Sequence, residues 1–158
     1  MTPEQIRLVQ STFQMVVPIK EQAAELFYNR LFELDPNLQP LFKGDMKEQG
    51  KKLMATLGVA VSSLTNLEKI IPTVQDLGAR HYDYGVKEAD YDTVGNALLW
   101  TLEQGLGEAF TPAVKEAWTQ TYMTLAGVMI EAAKEAPMHN EIKALMIQAL
   151  DKMARNEL

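Results

Sequence analysis

His81 and His139 are the only histidines in a chain of 158 residues that contains no cysteine. His81 lies in QDLGARHYDYGV, residues 75–86, below an apolar ladder and just ahead of a glycine suited to stopping a helix. Two uses fit a histidine there. Near a helix C-terminus a cation suits the dipole, and the ring nitrogens reach the last carbonyls. An axial metal ligand instead needs a neutral imidazole, an apolar surround and an acceptor for the second nitrogen. The ladder Ile70/Ile71, Val74 and Leu77/Gly78 supplies that surround. One histidine without cysteine cannot complete a tetrahedral zinc site. It suffices where a macrocycle provides the remaining ligands.

Two other polar residues fall among apolar ones. Gln49 sits one turn before Leu53 on the stripe Leu53–Leu57–Ala60/Val61–Leu64, so it points to the same face or stays exposed in a first turn. Tyr28 stands beside Phe27 and Leu31, either as a core tyrosine whose hydroxyl finds a carbonyl or as a donor into a site. No G-x-S-x-G, H-E-x-x-H, P-loop or G-x-G-x-x-G competes. His139 follows Pro137 and is expected to be solvated in a polar turn, and Asp90/Asp92 and Glu131/Glu135 read as helix surface.

The elements that must position these residues are helical almost throughout. Thr2-Pro3-Glu4-Gln5 combines an N-cap, a first-turn proline and a capping-box glutamine for a helix running to about Val17. After Pro18 a second helix carries Ala24, Phe27/Tyr28, Leu31 and Leu34 inward, and Asp35-Pro36 starts a short one ending near Phe42. Asp45…Glu48 and Thr65…Glu68 read as capping boxes for two more, the latter broken near Pro72. Residues 89–106 turn Tyr91, Val94, Leu98 and Leu102 inward. Thr111-Pro112 starts a long helix with Val114, Trp118, Tyr122, Leu125 and Met129, which Pro137 is expected to end. A separate amphipathic helix should come next, with Ile142, Leu145/Met146, Ala149/Leu150 and Met153 on one side. The expectation is an all-α fold with domains at 1–136 and 137–158.

Composition sets the outer limits. A net charge of −6 with no Lys/Arg cluster disfavours nucleic acid. No apolar run is long enough to span a bilayer, and the N-terminus lacks a secretory pattern. These features predict a cytoplasmic protein.

In this order and spacing the residues resemble the globin family, specifically single-domain bacterial haemoglobins, the globin part of flavohaemoglobins and the Hell's Gate globin branch. The resemblance covers about residues 1–133. It implies a globin fold, a three-over-three helical sandwich, with an additional C-terminal helix here. LFYNRLFELDPNLQPLF, residues 26–42, places Tyr28 at the distal tyrosine position and Phe42 where a phenylalanine packs on haem. MKEQGKKLM, residues 46–54, places Gln49 at the distal position, with Leu53 one turn further on. LGARHYDYGV places His81 at the proximal position and Val86 among the haem contacts. EADYDTVGNALL places Tyr91 at a tyrosine behind the proximal histidine, and EAWTQTY matches the start of the last helix.

The resemblance thus implies haem b with His81 on iron and Tyr28, Gln49 and Leu53 lining the gas side. Phe42, Lys52, Leu57, Leu77, Arg80, Val86, Tyr91, Val94 and Leu98 are the implied cofactor contacts, and Tyr28, Gln49 and Lys52 are the candidates for the ferric sixth site. One position departs. Flavohaemoglobins carry a glutamate in the last helix that reaches the proximal histidine through tyrosine, and Ala133 stands there, with Glu131 nearby. Three functions are expected. The first is reversible binding of O2, with NO and CO as further ligands, for carriage, storage or scavenging. The second is NO oxidation with a separate reductase, disfavoured by Ala133 and by the lack of a flavin or nicotinamide domain in this sequence. The third is a sensor or interaction module using the C-terminal stripe, with a second copy of the chain as one partner. Bilin attachment is disfavoured by the missing cysteine.

Overall fold

A computed structural model describes residues 1–155, without the side chains of Met138, His139, Asn140 and Lys143. The first helix, α1 (Pro3–Val16), starts as its sequence dictates. Thr2 Oγ1 accepts from the Gln5 backbone N–H at 3.1 Å, and the Gln5 side chain accepts from Thr2 N–H at 3.0 Å. Pro18 then falls in a 3-10 turn, Val17–Ile19, before α2 (Lys20–Leu34). Leu34, expected inside, is 42% exposed. Asp35 caps a 3-10 segment, Pro36–Leu41, by accepting from Asn37 N–H at 3.0 Å.

The next starts are partly different. Asp45 caps α3 (Met46–Ser62) through Lys47 N–H, while Glu48 pairs with Lys51, so the cap forms without the expected box. Thr65…Glu68 caps nothing: Leu64–Lys69 is 3-10, and α4 (Ile71–Asp83) begins with Pro72 in its first turn. A proline is tolerated there because the first N–H groups of a helix have no partner inside it. Next comes α5 (Glu88–Leu106), its start held by the Asp90 carboxylate accepting from Lys87 N–H at 2.8 Å. Thr111 then caps α6 (Pro112–Ala154).

Pro137 does not end that helix. α6 runs unbroken across it, so the expected separate C-terminal helix is a continuation, and His139 lies in helix rather than in a turn. His139's side chain lies outside the described residues. Proline removes one backbone bond and costs about 3 kcal/mol inside a helix. Here residues 131–136 and, past His139 and Asn140, residues 141–146 are rich in good helix formers, so the helix continues across it.

Two layers result. α5 adjoins both α2 and α6, α1 adjoins α3, and the layers meet where α1 and α4 pack on α6 and α3 packs on α2. Absent Cβ atoms allow the closest approaches. A Cβ on Gly78 would collide with the Met129 backbone, and one on Gly50 would lie 3.0 Å from the Ala24 Cβ. The main core gathers Val9, Phe13, Val16, Val61, Leu64, Leu102 and Trp118. At its centre the buried Trp118 indole donates to Thr12 Oγ1 at 2.9 Å, and Thr12 donates on to the Leu8 carbonyl at 2.7 Å. That buried polar pair is therefore satisfied.

Candidate functional site

His81 falls in the last turn of α4, half-buried. Its Nδ1 lies 2.7 Å from the Leu77 carbonyl oxygen. A carbonyl can only accept, so Nδ1 must carry the proton. Burial, more than the nearby Arg80 charge, pushes the imidazole pKa below its ordinary value, although the Leu77 bond pulls the other way. A neutral ring protonated on Nδ1 leaves the Nε2 lone pair available. The helix-end bond and the ligand role, alternatives in the sequence, are thus compatible, because one nitrogen makes the first and frees the other.

The chain beyond His81 fixes it further. Gly85, at φ +93°, ends α4 in the left-handed region that glycine adopts without strain. Val86 N–H then donates to the His81 carbonyl at 3.0 Å, and Gly85 N–H to Tyr82 at 3.0 Å. This closing motif ties the main chain of His81 to the adjoining turn.

A second cluster forms around Tyr28, with Phe27, Leu31, Leu38 and Ala97 buried and Phe42, Leu53, Val94 and Leu98 packed against them. Tyr28 meets Phe42 and Phe27 edge-on at 5.2 and 5.1 Å between ring centres. Burial raises its phenol pKa to about 12. The Tyr28 hydroxyl donates to the Gln49 backbone carbonyl at 3.4 Å. The Gln49 side chain turns outward instead, donating to the Lys43 carbonyl at 3.3 Å. So α2 and α3 bring Tyr28 and Gln49 together through the Gln49 main chain.

The remaining predicted positions divide. Leu57 packs on the main core. Lys52 is exposed, Leu77 and Val86 are half-buried, and Arg80 pairs with Asp76 at 3.2 Å on the surface. Tyr91 is buried, and its hydroxyl has no hydrogen-bond partner among the described residues. Tyr122 donates to the Tyr91 carbonyl, not to that hydroxyl. Ala133 is half-buried, and Glu131 pairs with Lys134 at 3.2 Å on the surface, so neither serves Tyr91.

Sequence reasoning missed two neighbours. Phe32 stacks on Tyr28 at 6.2 Å and meets Phe42 at 5.5 Å, and Tyr84 lies 5.8 Å from the His81 ring. Both were accessible, since i+4 and i+3 place them on the same helical side as Tyr28 and His81. A cleft of about 500 Å³ between α4 and α6, lined by Gln75, Thr124, Glu131 and Glu135, includes none of the predicted site residues. No cluster of three metal-ligating side chains occurs among the described residues.

These helical layers carry one imidazole with a free Nε2 and one aromatic cluster with a tyrosine donor, features compatible with a planar metal cofactor. The sequence profile of the globin family matches residues 25–129. The chain belongs to the globin family, whose cofactor is haem. It is 30% identical over 139 residues to the flavohemoprotein of Oceanobacillus iheyensis, covering 86% of this chain and 34% of that protein. Similarity to the flavohemoprotein of Vibrio cholerae is 28% over 146 residues, covering 90% and 36%. For that of Halalkalibacterium halodurans it is 29% over 138 residues, covering 85% and 34%. The chain spans about a third of the length of these relatives. The fold is all-α, without strands among the described residues, and no described helix is long and apolar enough to cross a membrane.

Proposed function

We propose that the chain binds diatomic gases reversibly at haem b held between α3 and α4, with O2 as the principal ligand. The observation that carries this reading is the His81 ring, whose Nδ1–H is engaged by Leu77 while Nε2 keeps its lone pair. Haem would supply an iron able to bind a diatomic gas. His81 Nε2 would hold that iron, and the Leu77 carbonyl fixes the tautomer and orientation of the ring. Tyr91, with a buried hydroxyl in need of a partner, supports the cofactor from the same side. On the gas side the Tyr28 hydroxyl leaves the Gln49 carbonyl to donate to the ligand, and Gln49 joins it if its amide swings inward. Phe42, Leu53, Val94 and Leu98 exclude water. Lys52, Leu57, Leu77, Arg80 and Val86 complete the proposed contacts, and residues 1–136 form the haem-holding unit.

A second reading is oxidation of NO to nitrate with O2, the missing electron coming from a separate reductase. The flavohemoprotein names of the relatives favour it. Against it stands the Tyr91 hydroxyl, which meets no carboxylate. Without one the imidazole gains little anionic character, and electron donation that assists O–O cleavage is weakened. Absorption spectra of ferric, ferrous and CO-bound protein test the main reading, alongside His81→Ala. The variant should lose tight haem binding and the thermal stability that ligand linkage adds, about 2.7 kcal/mol at a hundredfold excess over Kd. A full Soret band with an unshifted melting temperature would sink the assignment. NO consumption with a supplied reductase, measured at steady state, separates the two readings.

A further inference from the structure

Beyond Glu135 and the buried Ala136, α6 leaves its supports. Every described side chain from Glu141 to Ala154 is exposed, although the helix is continuous. Ile142, Leu145, Met146, Leu150 and Met153 expose 51%, 64%, 61%, 63% and 59% of their surface. At 3.6 residues per turn they share one face with Ala149. At roughly 100 Å² each, they present on the order of 500 Å², above the few hundred that monomeric proteins ordinarily leave open.

We infer that this face pairs with the same face of a second copy, the two helices running antiparallel. Three observations select that occupant. First, pairing buries on the order of 1,000 Å² in total, the threshold for a specific interface. Second, the charges are self-complementary. Glu141 and Lys152 lie on the same flank of the stripe, at its opposite ends. In an antiparallel pair like flanks face each other, so Glu141 meets Lys152 of the other copy, and the symmetry makes the contact twice. In a parallel pair like ends lie together, so Glu141 and Lys152 of the other copy stand about 16 Å apart along the axis and that match is lost. With Ile142 opposite Met153, Leu145 falls opposite Leu150 and Met146 opposite Ala149, which puts large side chains against large or small ones throughout. Third, the polar side is unsuited to a lipid surface. It mixes Glu141 and Asp151 with Lys152 and Arg155, and Arg155 pairs with Asp151 at 3.2 Å, whereas membrane-surface helices concentrate Lys and Arg there.

Sedimentation velocity of the haem-loaded chain over a range of concentrations is the test, with Soret intensity as the control for an intact fold. The expected result is a dimer whose dissociation constant rises at least about 100-fold in Leu145→Glu/Leu150→Glu, as for loss of anchor side chains. Glu141→Lys and Lys152→Glu should each weaken it severalfold, and the two combined should restore it. A monomer at every concentration overturns the proposal, as does a dimer untouched by the two glutamates. Stripe-dependent binding to phosphatidylcholine–phosphatidylglycerol vesicles without self-association also overturns it. A combined charge swap no better than the single swaps overturns the antiparallel order.

Discussion

Because burial holds the Tyr28 phenol near pKa 12, the hydroxyl keeps its proton and remains a donor well into alkaline solution. A hydrogen bond to a partly charged group is worth about 1.5–3 kcal/mol. Tyr28 must first give up its bond to Gln49, so the net gain falls at the lower end of that range. Tyr28→Phe should therefore speed O2 release several-fold to about tenfold, since ~1.4 kcal/mol is a factor of ten. An unchanged off-rate in stopped-flow removes Tyr28 from the mechanism. The same residue has a pH signature. In the unfolded chain its phenol ionises near 10, before the native one, so its stabilising share is intact below pH ~10 and is lost as pH climbs towards 12. Between pH 9 and 11 the wild type should lose about 1 kcal/mol more stability than Tyr28→Phe in urea titrations. Some slope should persist in the variant, because burial raises the Tyr122 phenol too.

Helix pairs depend on a few small residues. Gly78 lets α4 lie directly on the Met129 backbone of α6, and α4 is the helix that carries His81. Gly78→Ala should lift α4 from its support and cost roughly 1–3 kcal/mol, as overpacking does. Urea unfolding measures the loss, and a variant as stable as wild type would place the two helices further apart than described. Helix starts at Thr2, Asp35 and Thr111 were legible because a cap acts within one turn and needs nothing from the rest of the chain. Thr65…Glu68 had the same local form, yet the segment is 3-10, because α4 starts at Ile71, immediately before Pro72. Pro137 misled in the opposite way: a breaker was visible, but the helix-forming strength on both sides decides whether the helix resumes. At the candidate site, the family resemblance pointed to His81, Tyr28 and Phe42, and the structure sets Tyr28 against Phe42 and His81 in the last turn of α4. The outward turn of the Gln49 side chain was not legible, since it depends on where the Lys43 carbonyl comes to rest.

At the scale of the whole molecule, residues 1–136, proposed above to hold haem, should be separable from the rest of α6. Ending the chain after Ala136 removes no buried side chain among the described residues, so haem content and melting temperature should stay close to those of the full chain's monomer. Loss of the Soret band on truncation would show that the tail is part of the haem-holding unit. The length of α6 also has a hydrodynamic consequence. Its 43 residues span about 65 Å, whereas a compact body of the first 136 residues has a radius of gyration of only about 14 Å. A rod that long outreaches the body it is attached to. The chain will tumble slowly, show elevated friction and elute early from a sizing column even as a single copy. Elution volume will therefore overstate its mass, and scattering profiles will show a maximum dimension set by one helix.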